Sequence, residues 1–119
     1  MPEAVQFIVE LSIAEGGLAK FKEGAQGVIA LVEASEPATF AYRWYFNADE
    51  TKCYIMEWYP NADVIPAHLQ LVGAGLQELL KVSSVTRFEV LGNLTPAAAD
   101  ALAAIGAVNY GYWQGFTRQ

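Results

Sequence analysis

The sequence has little cysteine, histidine or positive charge, and each shortage excludes a class of protein. Among its 119 residues, Cys53 is the one cysteine and His68 the one histidine. A single cysteine excludes an internal disulfide framework and is typical of a reducing compartment. We expect Cys53 to be a small buried residue. One cysteine and one histidine do not provide the ligand spacing of a transition-metal site, and no glycine-rich phosphate loop follows a strand. We therefore predict a protein that works without a metal or cofactor.

The shortage of basic residues argues against negatively charged binding partners. The sequence has seven Lys and Arg residues and thirteen Asp and Glu residues, which gives a net charge of −6. A surface that binds nucleic acid or an anionic membrane must be basic. The apolar runs are broken well short of the roughly 20 residues that a membrane span needs, and no signal-peptide pattern is present. We expect no nucleic-acid or membrane partner and a cytoplasmic location.

Apolar residues are what the chain has in abundance, at 54% against 17% charged residues. The length is that of one domain, which we take to span residues 1–119. A small domain this apolar either hides surface in a partner or lines a cavity with it. We therefore expect a homodimer, a hydrophobic ligand site, or both.

The spacing of apolar residues predicts an α+β domain. Period-two alternation indicates strands, and spacing of three to four indicates helices. The predicted core has strands at 5–13, 39–46, 52–59 and 82–91 and helices at 18–33 and 61–80. This order is the split βαβ arrangement of ferredoxin-like folds, with two helices on one face of an antiparallel sheet. The core covers residues 5–92; an extension, 93–119, carries a helix at 97–105 and a short strand after 108.

The sheet face without helices needs a cover. On the strand 52–59, Tyr54, Met56 and Trp58 share one face, and apolar residues also occupy the other. Since neither face is polar, we expect a second copy of the chain to pack on the bare face. The result is a two-fold dimer whose sheets meet face to face, a dimeric α+β barrel.

The stretch from Glu57 to Leu69 carries a family resemblance. It contains Glu-Trp at a strand end, a short polar turn through Asn61 and Asp63, and Ala67-His68 on the next helix. This pattern resembles the antibiotic biosynthesis monooxygenase family, and the element order agrees over the core. The resemblance implies a dimeric α+β barrel.

The family also bounds the function. It includes cofactor-free oxygenases that act on aromatic, polyketide-like substrates, and haem-degrading enzymes. The haem-degrading branch needs an Asn on the first strand and a helical Trp before its His, and both are missing here. The resemblance therefore implies a cofactor-independent, monooxygenase-like protein for a small hydrophobic or aromatic substrate. The alternative is a non-catalytic ligand-binding or structural dimer of the same fold.

His68 is the candidate catalytic residue, because histidine alone has an unperturbed pKa near neutral pH. It lies on the apolar stripe of its helix and faces the sheet. It either binds or deprotonates a phenolic substrate, or it is a core histidine held by a backbone carbonyl or by Glu57. The candidate substrate-binding aromatic residues, as neighbours across the hairpin, are Trp58, Tyr54, Trp44 and Tyr42. These aromatic residues line a pocket for a flat substrate, or they only stabilise the sheet as cross-strand pairs.

Arg43 and Arg87 are predicted to lie in mid-strand, where an unpaired charge is costly. Glu10, Glu57 and Glu89 are candidate partners for them. We expect a buried ion pair at the dimer interface. The alternative for Arg43 is binding an acidic group of the substrate.

Overall fold

The computed structural model describes residues 3–118 and contains eight main elements in the predicted order. They are β1 (Val5–Ile13), α1 (Leu18–Ser35), β2 (Ala41–Phe46), β3 (Lys52–Tyr59), α2 (Ile65–Leu79), β4 (Ser83–Leu91), α3 (Pro96–Ala104) and β5 (Val108–Tyr110). A short 3₁₀ turn, Ala62–Val64, comes before α2. The predicted second helix therefore starts too early, because its first residues form this tighter turn.

The sheet has the strand order β2-β3-β1-β4-β5. The first four strands pair in antiparallel fashion, and β5 adds in parallel to β4. The predicted α+β, ferredoxin-like fold is confirmed, and the extension contributes one helix and one short edge strand. Within residues 3–118, no helix combines the length and the apolar character that crossing a membrane requires.

Short polar signals in the sequence set the helix ends. The Asn61 side chain accepts a hydrogen bond from the Asp63 amide and caps the turn that leads into α2. Thr95 caps α3 in the same way, with Pro96 at the first helical position. At the C-terminal end of α1, Glu36 precedes Pro37, and a residue before proline disfavours the helical conformation. Helix α1 accordingly ends at Ser35.

Strand alternation divides the sheet into a helix-covered face and an outer face. Residues on the helix-covered face of the two central strands are Val5, Phe7, Val9 and Leu11 on β1 and Cys53, Ile55, Glu57 and Tyr59 on β3, and all eight are buried. Their neighbours in sequence belong to the outer face. Which face a residue occupies therefore decides whether it can reach His68.

A β-bulge changes the alternation in β4. Glu10 pairs with Arg87, but the next residue, Leu11, pairs with Val85. The extra residue is Thr86, whose hydroxyl donates a hydrogen bond to the Glu10 side chain. Because two residues of β4 oppose one of β1, Val85 is on the helix-covered face along with Leu11.

The two core helices approach closely at a glycine. A Cβ atom added to Gly75 of α2 would lie 2.6 Å from Cγ2 of Val28 on α1. Two residues earlier on the same helix, a Cβ on Gly73 would meet nothing within 4 Å. Gly75 is therefore required by packing, and Gly73 is not.

These two glycines give a matched test. Gly75→Ala should destabilise the fold, since overpacking costs about 1–3 kcal/mol and the stiff Val28 side chain cannot easily turn away. Gly73→Ala should stabilise the fold by roughly 0.5–1 kcal/mol, the usual gain in helix propensity. Urea unfolding of both variants measures the difference. Equal effects of the two substitutions would show that the helices do not meet at Gly75.

Candidate functional site

His68 lies in the first turns of α2, with its side chain only 3% exposed. Its ring packs among aromatic rings from β1, β2 and β3. The ring centroids of Tyr59, Tyr42 and Phe7 lie 4.8, 5.9 and 6.2 Å from that of His68. The helix thus places the imidazole against the helix-covered face of the sheet, as predicted from the stripe.

Both ring nitrogens of His68 have polar partners. Nδ1 lies 2.8 Å from Oε2 of Glu36, which directly follows α1. Nε2 lies 2.7 Å from the hydroxyl oxygen of Tyr59 and 3.3 Å from Oε1 of Glu57. The Tyr59 hydroxyl is in turn 2.5 Å from the same Glu57 oxygen. We call Glu36, His68, Tyr59 and Glu57 the buried cluster.

One arrangement of protons satisfies every hydrogen bond of the buried cluster when both glutamates are carboxylates. A carboxylate can only accept, so the Tyr59 hydroxyl donates to Glu57 and Nδ1 of His68 donates to Glu36. The Tyr59 oxygen then accepts from Nε2 of His68. Both ring nitrogens carry a hydrogen in this arrangement, so His68 is an imidazolium cation between two carboxylates.

The pKa shifts agree with this assignment. Burial alone would lower the pKa of His68, but the hydrogen bonds and negative charges of Glu57 and Glu36 outweigh it and raise the pKa above its ordinary value. Burial, followed by the charge of Glu57, also raises the pKa of Tyr59 and of Tyr42. Both phenols therefore stay neutral, and Tyr59 remains a hydroxyl donor.

Beside the buried cluster is a cavity of about 70 Å³ between α2 and the sheet. Its polar lining comes from Tyr42, Glu57 and His68, and the rest of its wall is apolar. The half-exposed side chains at its mouth are Leu80, Val85 and Ile105. Since Ile105 is the C-cap residue directly after α3, the C-terminal extension borders the mouth of its own cavity.

Glu57 belongs both to the buried cluster and to the cavity wall. Its Oε1 atom interacts with Tyr59 and His68. The side chain is 5% exposed and lines the cavity. Glu57 is therefore the point at which the buried cluster borders the cavity.

The predicted site residues divide between the two faces of the sheet. Tyr42 pairs with Glu57 across the hairpin and lines the cavity with His68. Trp44 follows on the same face, with its ring 5.8 Å from that of Tyr42. It packs behind Tyr42 and does not line the cavity. Only Tyr42 among the predicted aromatic residues reaches His68.

The expectation that Tyr54 and Trp58 adjoin Trp44 and Tyr42 as walls around His68 is wrong in its geometry. Tyr54 pairs with Tyr45, and Trp58 with Ala41, so both lie on the outer face. Trp58 packs edge-on against Phe40 there, at 5.6 Å between ring centroids. The alternation predicted within each strand was right. The face of β2 that carries Tyr42 and Trp44, however, lies beside the face of β3 that carries Glu57, and not beside the one that carries Tyr54 and Trp58.

The arginines also lie on the outer face. Arg43 is exposed, opposite Met56, and has no ion pair within residues 3–118. Arg87 pairs with Glu89 two residues along its own strand, at 2.8 Å between Nε and Oε1. Neither arginine is buried within one chain. Cys53 is fully buried as expected, and burial raises the pKa of its thiol to about 11.

Sequence reasoning missed Glu36 and the role of Tyr59. Tyr59 had a signal, because it shares the inward face of β3 with Glu57, and two polar groups on a buried face need partners. Glu36 had none beyond its place before Pro37, since it is 32 residues from His68. Within residues 3–118, no group of three His, Cys, Asp or Glu side chains is arranged to hold a metal ion.

Comparison with known proteins places the fold. No protein-family model and no curated protein matches the sequence. Among solved structures, MupZ from Pseudomonas fluorescens is 24% identical, with a TM-score of 0.83 over 99% of this chain and 91% of MupZ. A Caulobacter crescentus protein provisionally named an antibiotic biosynthesis monooxygenase is 17% identical, with a TM-score of 0.68 over 79% of this chain and 92% of that one.

SnoaB, a cofactor-independent oxygenase from Streptomyces nogalater, is 14% identical, with a TM-score of 0.65 over 78% of this chain and 95% of SnoaB. The chain has the fold of the antibiotic biosynthesis monooxygenases. The resemblance seen in Glu57 to Leu69 is thus confirmed at the level of the fold. The match to MupZ includes the C-terminal extension, because it covers nearly the whole chain.

The raised pKa of His68 predicts how stability depends on pH. The folded state binds the imidazolium proton more tightly, so this stabilisation is complete below the unfolded pKa of about 6.5 and is lost as pH rises through the folded pKa. The unfolding free energy should therefore fall as pH rises above the unfolded pKa of about 6.5, with a slope of at most about 1.4 kcal/mol per pH unit.

Urea unfolding across this pH range measures the effect. Glu36→Gln should reduce the slope, since an amide can accept from Nδ1 but carries no charge. Glu33→Gln, an exposed glutamate on α1, is the matched control. Parallel curves for the two variants would contradict the ion pair between Glu36 and His68.

Proposed function

We propose that this protein is a cofactor-independent, monooxygenase-like enzyme that acts on a small hydrophobic, aromatic substrate. The observation that carries the proposal is the close pair of His68 and Glu57, 3.3 Å apart, on the wall of an otherwise apolar cavity. A buried acid–base pair is expensive to keep in an apolar site. Such groups cluster where a reaction uses them.

Glu57 and His68 would have different roles. Both nitrogens of His68 already donate within the buried cluster, so the ring is not free to take a proton from a substrate. Glu57, which also lines the cavity, is the remaining candidate base. His68 is catalytic as a fixed positive charge that stabilises the substrate anion, a form of electrostatic preorganisation. Its role as a base, one of the options that the sequence left open, is therefore not part of the proposal.

The reaction follows from this pair. Glu57 removes a proton from an acidic C–H or from the tautomeric hydroxyl of an anthrone-like substrate, which leaves an electron-rich anion. The anion reduces O₂ and forms a carbon–oxygen bond, giving a peroxide that takes the proton back. Loss of water from the peroxide gives a ketone, so the sum is R₂CH₂ + O₂ → R₂C=O + H₂O. The apolar wall keeps water from the anion.

The aromatic and basic residues on the two faces would serve separate purposes. Tyr42 forms the wall of the substrate cavity, with Trp44 supporting it from behind. Tyr54, Trp58 and Arg43 cannot reach a substrate in this cavity of their own chain, and we propose that they meet a second protomer. A cytoplasmic location accords with the single buried thiol.

The enzyme hypothesis predicts a severe loss of activity on loss of the imidazolium. His68→Gln should lower the rate of anthrone oxidation by about 10²-fold or more, the usual contribution of one such group. Oxygen consumption measures the rate, and circular dichroism checks that the variant folds. Gln70→Ala, an exposed change on the same helix, is the control. Unchanged turnover in the His68 variant would end the catalytic role assigned to this residue.

The dimer is a separate proposal. The outer face carries half-buried Ile8, Met56 and Trp58 with no helix over them, and Arg43 has no partner charge in its own chain's described residues. Analytical ultracentrifugation at micromolar concentration should show a dimer for the native protein. Met56→Lys should give a monomer, whereas Gln70→Lys on the helix side adds the same charge and should not. A native monomer would contradict the bare-face argument.

A non-catalytic, ligand-binding dimer is the second candidate. It is favoured by the contacts of His68, because a structural core histidine would also have hydrogen-bond partners for both of its ring nitrogens. This alternative predicts that small aromatic molecules bind beside His68 and leave unchanged under O₂. Turnover that depends on His68 would exclude it.

A further inference from the structure

The cavity is long, and its two ends lie at different rows of the sheet. The inner end is the row in which Phe7 pairs with Glu57, and the outer end is the row in which Leu11 pairs with Val85. All four side chains line the cavity. Phe7 and Leu11 are four residues apart on β1, so the two ends are about 13 Å apart at roughly 3.3 Å per residue. A ligand that reaches from one end to the other is therefore elongated.

The cavity is also narrow. Its volume of about 70 Å³ is less than half of the about 150 Å³ of a cavity that holds one benzene ring. Spread over a length of about 13 Å, this volume suits an unbranched chain better than a branched one. A ring needs wall side chains that can turn, and Tyr42 and Phe88 are ring residues of the wall that are only partly buried.

The wall changes in chemistry along its length. Among the described residues of the wall, the rings belong to the inner half: Phe7, Tyr42, His68 and Phe88. The outer part is entirely aliphatic: Leu11, Leu76, Leu79, Leu80, Val85 and Ile105. Aromatic side chains offer offset or edge-to-face packing to another ring, whereas aliphatic side chains offer apolar surface without a preferred direction. The inner half thus suits a ring, and the outer part suits an alkyl chain.

Ile105 has a fixed place at the outer end. The Gly106 amide donates a hydrogen bond to the Ala103 carbonyl, at 3.1 Å. The Ala107 amide donates to the Leu102 carbonyl, also at 3.1 Å. With Gly106 at a φ of +83°, these two bonds form a Schellman motif. Because Leu102 is buried in the core, the motif holds Ile105 at the mouth and does not leave it on a loose tail.

We propose that the cavity binds an elongated ligand, with one ring at the inner end beside His68 and an unbranched alkyl chain that runs along α2 to the mouth, where Ile105 contacts the end of the chain. The proposal rests on the proposed function only in taking this cavity as the substrate site. It narrows the substrate class to ring compounds with an alkyl substituent. Ile105, which the C-terminal extension supplies, is then a residue that determines specificity for chain length.

A series of alkylphenols provides the test of shape. Binding of para-cresol, para-butylphenol and para-hexylphenol to the native protein is measured under nitrogen by NMR titration, with the imidazole signals of the one histidine as the reporter. Each carbon that enters the cavity should tighten binding by up to about fourfold, the usual effect of burying one methylene. The branched isomer para-tert-butylphenol should bind about tenfold or more weakly than para-butylphenol, since overpacking a narrow cavity is costly.

A variant pair tests the place of the chain end. Ile105 and Val108 are β-branched residues of the extension, 52% and 53% exposed, and Val108 does not line this cavity. Ile105→Ala should weaken the binding of para-hexylphenol by about fivefold, because it removes apolar contact at the mouth, and should leave that of para-cresol as in the native protein. Val108→Ala should change neither. Circular dichroism checks that both variants fold.

The outcomes separate this inference from the proposed oxygenase. Equal binding of the two butyl isomers, no gain from para-cresol to para-hexylphenol, or no binding of any of these phenols overturns the inference even if anthrone is oxidised. Equal effects of Ile105→Ala and Val108→Ala on para-hexylphenol also overturn it. Binding that depends on the chain and on Ile105, without oxidation of any ligand under O₂, upholds the inference and counts against the oxygenase alone.

Discussion

The structure of the site depends on one buried cation that donates in two directions. His68 donates one hydrogen bond to Glu36 and another to Tyr59, whose hydroxyl in turn donates to Glu57. These contacts join the end of α1, the start of α2 and the end of β3. A cation at this depth is stable only because both of its hydrogens meet acceptors and two carboxylates balance its charge. The helices and the sheet are thus tied by charge at the same place where the cavity begins.

The second constraint is the two-residue period of β3. Glu57 and Trp58 are adjacent in sequence, yet they face opposite sides of the sheet. This separates the chemistry of the cavity from the surface that we assign to the partner protomer. A substitution at Trp58 can therefore alter the surface assigned to the partner protomer without changing the cavity. The Glu-Trp pair that carries the family resemblance therefore contains two residues with separate environments.

The sequence was sufficient for the fold because each element carries a local signal. Alternation bounds β1 and β3 to the residue, and Thr95-Pro96 marks the start of α3. His68 was found because it is the one histidine on an inward stripe. Glu36 could not be found, since its contact with His68 depends on how the end of α1 approaches α2, which no local pattern encodes. The face error at Tyr54 and Trp58 has a similar origin, because alternation groups residues on a strand but does not say which groups meet across a hairpin.

The bulge in β4 has a consequence for how such a cavity could diversify. The extra residue, Thr86, lies between the part of the strand that fills the core with Phe88 and Val90 and the part that reaches the mouth with Val85. Loss of Thr86 would restore regular pairing, with Arg87 and Val85 as consecutive residues opposite Glu10 and Leu11, and every paired residue would keep its face. A deletion of this one residue could thus remove the local bend of the strand and move the mouth of the cavity, while the residues that fill the core stay in place.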